Sequence, residues 1–243
     1  MKYWFKNVAD NIYIYPKSTP RNLILQTRTS DCNSATHENR KANLITQKFG
    51  LHKDEYICAL SRLTEEKGIH FLIEAYKELK TDKKLVIAGA TSDTDGYVKM
   101  LKEMAGDDPN IIFTGFVSGK LLEEIYSNAY VYVLPSKLEG MPLSLLEAMS
   151  YGNCVIGSDI AEIADVVEDK AILFKKANVE DLKEKLQMVC DDVELVEKYK
   201  NEASGYICGK YNWEDVVNRT VEVYRGKKSC KEKLVENSSV ASI

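Results

Sequence analysis

Much that marks a specialised chain is missing from this sequence. It has no run of 18 apolar residues, the length a helix needs to cross a bilayer, which excludes a membrane-spanning helix. Its N-terminus, "MKYWFKNVADNIYIYPKS", has no apolar core segment and no small-residue cleavage site, so it does not read as a secretory signal. The three histidines, His37, His52 and His70, are isolated, and the six cysteines (Cys32, Cys58, Cys154, Cys190, Cys208 and Cys230) form no CxxC pair. Metal-ligand spacing is therefore absent from the sequence. Cys58 and Cys154 fall inside apolar runs, as reduced core thiols do. Together these features point to a reducing, cytoplasmic setting, the inner face of a membrane included. Charge of either sign is not in large excess: the formal net charge is -4 and the pI about 5.6, which argues against a general nucleic-acid binder. No GxGxxG follows a strand-like run, which weighs against a nicotinamide-dependent oxidoreductase.

What remains is 243 residues, 44% hydrophobic and 29% charged, the composition of one large globular domain or of one domain with appendages. Six short apolar runs recur: "YICAL" (56–60), "KLVIAGA" (84–90), "NIIFTGF" (110–116), "YVYVLP" (130–135), "CVIGS" (154–158) and "AILF" (171–174). They are almost continuously apolar and rich in Val and Ile, as strands covered on both faces are. Between them lie helical stripes. Ile69, Leu72, Ile73, Tyr76 and Leu79 form one; Leu122, Ile125, Tyr126 and Ala129 another; Leu182, Leu186 and Val189 a third. A weaker helix is expected over 97–105 and a lead-in helix in "ANLITQKFGL". Strand–helix alternation repeated this often predicts an α/β, Rossmann-like, doubly wound parallel sheet. No internal repeat is visible.

The ends read differently. Residues 1–50 carry two strand-like pieces, "NIYIYP" and "NLILQT", then a polar stretch expected to be a mobile loop. Residues 51–190 hold the strand–helix alternation. Residues 191–225 are expected to be C-terminal helices, including "WEDVVNRTVEVY" with Trp213, Val216, Val217, Thr220, Val221 and Tyr224 on one face. Residues 226–243 read as a disordered tail.

Ligands of an open α/β sheet bind at the carboxyl ends of its strands, so the residues after each strand are the candidates. After the first run, Arg62 and Lys67 put two cations just before a helix, which suits a diphosphate or is simply a solvated turn. After the third comes "VSGK", a small turn that a base could approach. After the fourth comes "PSKLEGMPLSLLEAMSYG". Gly140 gives backbone freedom, Pro142 suits the first turn of a helix, and Gly152 is a C-cap candidate. The N–H groups of Met141, Leu143 and Ser144 are expected to point out of a helix start, where anions are attracted. Glu139 would be repelled by a phosphate there, but fits a hydroxyl-rich part of a ligand. Glu147, if buried, needs a partner, and a diol would serve. For a single Glu on a helix, simple exposure is the plain alternative.

The segments "SRLTEEKGIHFLIEAY", "VIAGA", "IIFTGFVSGKLLEEIYSNAYVYVLPSKLEGMPLSLLEAMSYGNCVIGSDIAEI" and "YNWEDVV" together resemble the C-terminal half of a glycosyltransferase family 4 enzyme. These are GT-B, retaining, sugar-nucleotide-dependent transferases. The resemblance runs from about Gly50 to Tyr224, and "EGMPLSLLE" fits the family's E-x7-E pattern. It implies the C-terminal domain of a GT-B fold with most of the N-terminal, acceptor-binding domain absent. It also implies roles. Arg62 and Lys67 neutralise the diphosphate, and Glu139 steadies the donor sugar and an oxocarbenium-like transition state. Glu147 holds the ribose. Gly140, Met141, Pro142, Leu143 and Ser144 bring backbone amides to the sugar and diphosphate, and Gly115, Phe116 and Val117 lie near the base. Ser61 stands beside the ligand where the family has Gly, and the family's glycine signature after the second strand is reduced to Gly89. The implied donor is a UDP- or GDP-sugar and the acceptor a glycan or another lipid-linked acceptor, with a separate acceptor-domain protein as partner and no metal or other cofactor. The expected enzyme is a hexosyltransferase-type glycosyltransferase. A truncated or non-catalytic nucleotide-sugar-binding subunit, a sugar-nucleotide epimerase and a purely structural interaction protein remain as alternatives.

Overall fold

The six apolar runs become six parallel strands: β1 (Tyr56–Leu60), β2 (Lys84–Ala88), β3 (Ile111–Gly115), β4 (Val131–Leu134), β5 (Cys154–Ser158) and β6 (Ile172–Phe174). The structure, a computed structural model, describes residues 40–90 and 95–211 together with Val221. The chain divides into two units. One is Glu38–Ile207; the other, Met1–His37 with Cys208–Ile243, falls almost wholly outside the described residues. The expected strand-like pieces at the N-terminus, the Trp213 helix and the expected disordered tail likewise lie outside them, Val221 apart.

Helices alternate with the strands: α1 (Leu44–Phe49), α2 (Ile69–Lys77), α3 (Asp95–Ala105), α4 (Gly119–Asn128), α5 (Leu143–Ser150), α6 (Ala161–Val167), α7 (Val179–Asp191) and α8 (Val193–Lys210). The strand order is β3-β2-β1-β4-β5-β6. This is the doubly wound order, in which the chain moves outward from β1 in one direction and then returns to lay β4 on β1's other edge.

Alternation along each strand serves two cores. Ile57, Ala59, Leu85, Ile87, Val131, Val133 and Ile156 face a cluster built with α2, α3 and α7, through Leu72, Ile73, Leu101, Leu182 and Leu186. Tyr56, Cys58, Tyr132 and Val155 are buried as well, and on their side α4, α5 and α6 cover the sheet. Tyr56 donates its hydroxyl to the Ile125 carbonyl at 2.7 Å. Gly157 is small because a Cβ there would meet the Ile163 side chain at 2.7 Å. Burial pushes the Cys58 and Cys154 thiols up to about 12, so both stay protonated core groups.

Local chemistry fixes the helix ends. Asn178 caps α7 by accepting from the Asp181 N–H at 2.9 Å. The start of α1 is capped from a distance: buried Glu124 of α4 accepts from the Asn43 and Ile45 N–H groups at 3.0 and 3.1 Å. A carboxylate at a helix N-terminus is favoured by the exposed amides.

Candidate functional site

Between β1 and β4 the strand order reverses, and the crevice at the carboxyl ends of these two strands is where open α/β sheets hold ligands. Two exit loops meet there. The β1 exit runs through Ser61 and Arg62 into a 3-10 turn, Glu65–Lys67, and then α2. The β4 exit runs from Pro135 to Pro142 and then into α5.

The two loops are pressed together. Gly68, at φ +66, has no room for a Cβ, which would stand 2.1 Å from the Pro135 carbonyl oxygen. Lys137 donates its N–H to the Glu66 carbonyl at 2.7 Å, and its ammonium pairs with Glu65 at 3.0 Å. Lys67 Nζ lies 2.8 Å from Glu139 Oε1, with the two side chains only 14% and 7% exposed. Two residues 72 positions apart in sequence thus form a largely buried ion pair at the switch point. Ser136 donates to the same Oε1 at 2.6 Å, and its own carbonyl accepts from Ser158 of β5 at 2.5 Å. Glu139 is held by one oxygen; among the described residues no hydrogen bond engages Oε2.

Arg62 is exposed, and among the described residues no carboxylate pairs with it. Its charge is felt by Glu66, whose carboxyl is held below the usual carboxylate range by its own backbone N–H first, with Arg62 and Lys67 adding to the effect. The site thus joins two ion-paired cations, Lys67 and Lys137, to the exposed Arg62.

The α5 start differs in detail from the sequence expectation. Pro142 is the N-cap and has no N–H to offer, and the Leu143 N–H donates to the Met141 carbonyl at 2.8 Å. The Met141 and Ser144 amides have no backbone acceptor among the described residues. The helix ends at Ser150 with Tyr151 as C-cap. Gly152 follows at φ +74 with its N–H on the Met149 carbonyl, so glycine occupies the position after the cap. Gly140 is exposed.

Glu147 sits in the second turn of α5. Its Oε2 accepts from the Tyr126 hydroxyl of α4 at 3.0 Å. Tyr132 of β4 reaches back to the Leu60 carbonyl at the end of β1, at 3.0 Å. The expected base region is split. Gly115, at φ +68, and Phe116, 70% exposed, face outward, whereas Val117 is buried. Ser61 turns its hydroxyl onto the Arg62 carbonyl at 3.0 Å. Its own carbonyl oxygen stands 1.9 Å from where a Cβ of Gly89, at φ +143, would lie, so glycine is required at that β2 exit.

Sequence reasoning did not single out Ser136, Ser158, Tyr126 or Tyr132 as site residues. The signals were present: Ser136 directly follows the Leu-Pro that ends a strand, and Tyr126 lies on the apolar stripe of α4, where a buried phenol needs an acceptor. It also missed His70 and Tyr97. The His70 ring nitrogen Nδ1 and the Tyr97 hydroxyl are 2.7 Å apart, at the start of α2. Among the described residues no group of three or more His, Cys, Asp or Glu could hold a metal ion, and no helix is long and apolar enough to cross a membrane.

A family model described as glycosyl transferases group 1 matches residues 42–206, more than half of the chain. An uncharacterized glycosyltransferase of Methanocaldococcus jannaschii is 32% identical over 184 residues, covering 74% of this chain and 47% of that protein. The alpha-D-kanosaminyltransferase of Streptomyces kanamyceticus is 26% identical over 79% of this chain and 50% of its own length. The chain spans about half the length of the curated relatives it matches. Its fold is that of solved GT-B glycosyltransferases. The Anabaena protein HepE, crystallised in complex with UDP and glucose, matches with a TM-score of 0.69 at 18% identity, over 75% of this chain and 51% of that one.

Proposed function

Since the chain belongs to the glycosyl transferases group 1, we propose that its Glu38–Ile207 unit binds a nucleoside-diphosphate sugar and serves the donor side of a retaining, family 4-type hexosyl transfer. The observation that supports this best is the meeting of the β1 and β4 exits: a largely buried Lys67–Glu139 pair, the exposed Arg62 and the α5 start, all at the strand-order reversal.

Each group has a task in that reading. Arg62 and Lys67 neutralise the diphosphate and the charge that builds on it as the bond to the sugar breaks. The Met141 and Ser144 amides, at a positive helix terminus, add to that field. Glu139, pinned at Oε1 by Ser136 and Lys67, turns its other oxygen to the donor sugar. Glu147 takes the ribose hydroxyls, and Gly115 with Phe116 receives the base. Cations and amides do the electrostatic work, so the transfer proceeds without a metal ion. The relative HepE, crystallised with UDP and glucose, lends weight to a UDP-sugar; a GDP-sugar is the alternative donor. The acceptor, a glycan or lipid-linked sugar, is held by a region outside the described unit, in a partner or a further segment.

Calorimetric titration with UDP, GDP and their hexose conjugates tests the donor assignment. Binding of at least one nucleotide with stoichiometry near one is expected, and it should weaken about tenfold or more in Arg62→Ala. Absence of binding by every one of them would sink the proposal. An epimerase would convert the bound donor sugar with no acceptor present; the transferase reading expects the donor to remain unchanged.

A further inference from the structure

We propose that Tyr126 is a positioning residue for Glu147: its hydroxyl fixes one carboxylate oxygen, so that the carboxylate is presented to the ribose diol of the donor and the site prefers ribose to deoxyribose. The inference rests on the reading of Glu147 as the ribose ligand and goes beyond it, to what holds that ligand in place.

A glutamate near the start of a helix has three side-chain torsions and can turn along the helix surface. Recognition of a vicinal diol by a carboxylate demands one orientation, and an unheld side chain must lose its rotamer freedom on binding. Tyr126 supplies the restraint beforehand. Its hydroxyl donates to Glu147 Oε2 at 3.0 Å, and the phenol itself is packed on its faces. It is 1% exposed. Its ring stacks on Tyr151, the C-cap of α5, with centroids 5.5 Å apart and planes at 15°, and tilts against Tyr132 at 5.9 Å.

The backbone is tied to the same helix. Buried Asn153 donates from Nδ2 to the Tyr126 carbonyl and to the Ala148 carbonyl, both at 2.9 Å. Ala148 is the residue after Glu147. Tyr126 is therefore tied to α5 twice: its carbonyl is bridged by Asn153 to the Ala148 carbonyl, and its hydroxyl meets the Glu147 carboxylate directly. Burial keeps the phenol protonated well above its usual range, with the Glu147 charge acting in the same direction, so it remains a donor. Tyr132 extends the link, donating to Leu60 at the end of β1, so the Glu147 support is anchored at the β1–β4 junction itself.

A tyrosine that only packed two helices together would affect all ligands of the site alike. The test is calorimetry on the whole 243-residue chain with UDP and GDP, each beside its 2′,3′-dideoxy counterpart. The unaltered protein should prefer the ribonucleotide by about tenfold, the worth of a hydrogen bond to a charged group. Tyr126→Phe should lose about tenfold in ribonucleotide affinity, leave the dideoxy affinity within about twofold, and so erase the preference. Glu147→Ala should do the same, and the double variant should be no weaker than either. Equal weakening of both nucleotides in Tyr126→Phe, or a preference that survives there but is lost in Glu147→Ala, overturns the positioning role and leaves the ribose assignment standing. A preference that survives Glu147→Ala, or no binding of either nucleotide, overturns both. Independently of any variant, the 13Cζ NMR signal of Tyr126 in the unaltered protein should move on adding the ribonucleotide and stay put with the dideoxy analogue. Equal responses to both count against the proposal.

Discussion

Replacing Lys67 by Met tests how much the switch-point pair holds the two exit loops together. In the native structure the ammonium is 2.8 Å from Glu139 Oε1, and the carboxylate side chain is only 7% exposed. Removing one partner of such a pair leaves a nearly dry charge, which typically costs about 3–5 kcal/mol. Ser136 still donates to the carboxylate at 2.6 Å, so the lower end, about 3 kcal/mol, is expected. Glu139→Gln should cost less, about 1–2 kcal/mol, because the longer lysine can swing its charge toward water. The double variant K67M/E139Q buries no lone charge and should lose no more than about 2 kcal/mol, giving a coupling energy of at least about 2 kcal/mol. In urea unfolding, with a slope of about 2 kcal/mol per molar, Lys67→Met should lower the midpoint by about 1.5 M. A shift under about 0.3 M, or additive single effects, would mean that water screens the pair, and the picture of a loop clamp would fail.

Three further outcomes are expected. Gly89→Ala, whose Cβ would sit 1.9 Å from the Ser61 carbonyl oxygen at φ +143, should lower thermal stability far more than Gly106→Ala, at φ +64 with open space around it. The first should cost about 3 kcal/mol or more and the second about 1; equal melting temperatures would refute the close approach. Burial, and then the Lys137 charge, hold the His70 pKa below its ordinary 6.5. The unfolded chain therefore binds that proton first, and stability present above pH 6.5 is lost as the pH falls below it. His70→Gln should flatten the slope of unfolding free energy against pH in that window, and an unchanged slope would count against the assignment. Nucleotide binding should be the same with and without EDTA, since Arg62, Lys67 and the α5 amides carry the charge in the proposed site; loss of binding on chelation would point to a metal instead.

Much of the fold was legible because strands buried on both faces must be apolar at nearly every position. "YICAL" and "CVIGS" coincide with β1 and β5 residue for residue. "YVYVLP" is trimmed at both ends, and Pro135 brings no N–H for a ladder. The order of the strands was not legible, since a hydrophobic period reports burial and not neighbours. The short helix α6 was not foreseen either, its seven residues being too few to establish a stripe. In the site, residue types at strand ends were readable, but partners were not. Nothing in the spacing of Lys67 and Glu139 tells of an ion pair across 72 positions, and the phenol that holds Glu147 comes from a different helix. The α5 start also escaped a reading by type: the chain turns so tightly at Pro142 that the Leu143 amide is spent on Met141.

The most direct test of the donor site is an amide footprint. Backbone N–H signals of the isotopically labelled chain would be recorded with and without saturating UDP or GDP. The changes should gather at Arg62 and Lys67, at Gly115 and Phe116, and at Met141, Ser144 and Glu147, the carboxyl-end groups of β1, β3 and β4. Changes centred on the opposite, amino ends of the strands, around Glu55 and Lys84 at the starts of β1 and β2, would contradict the account.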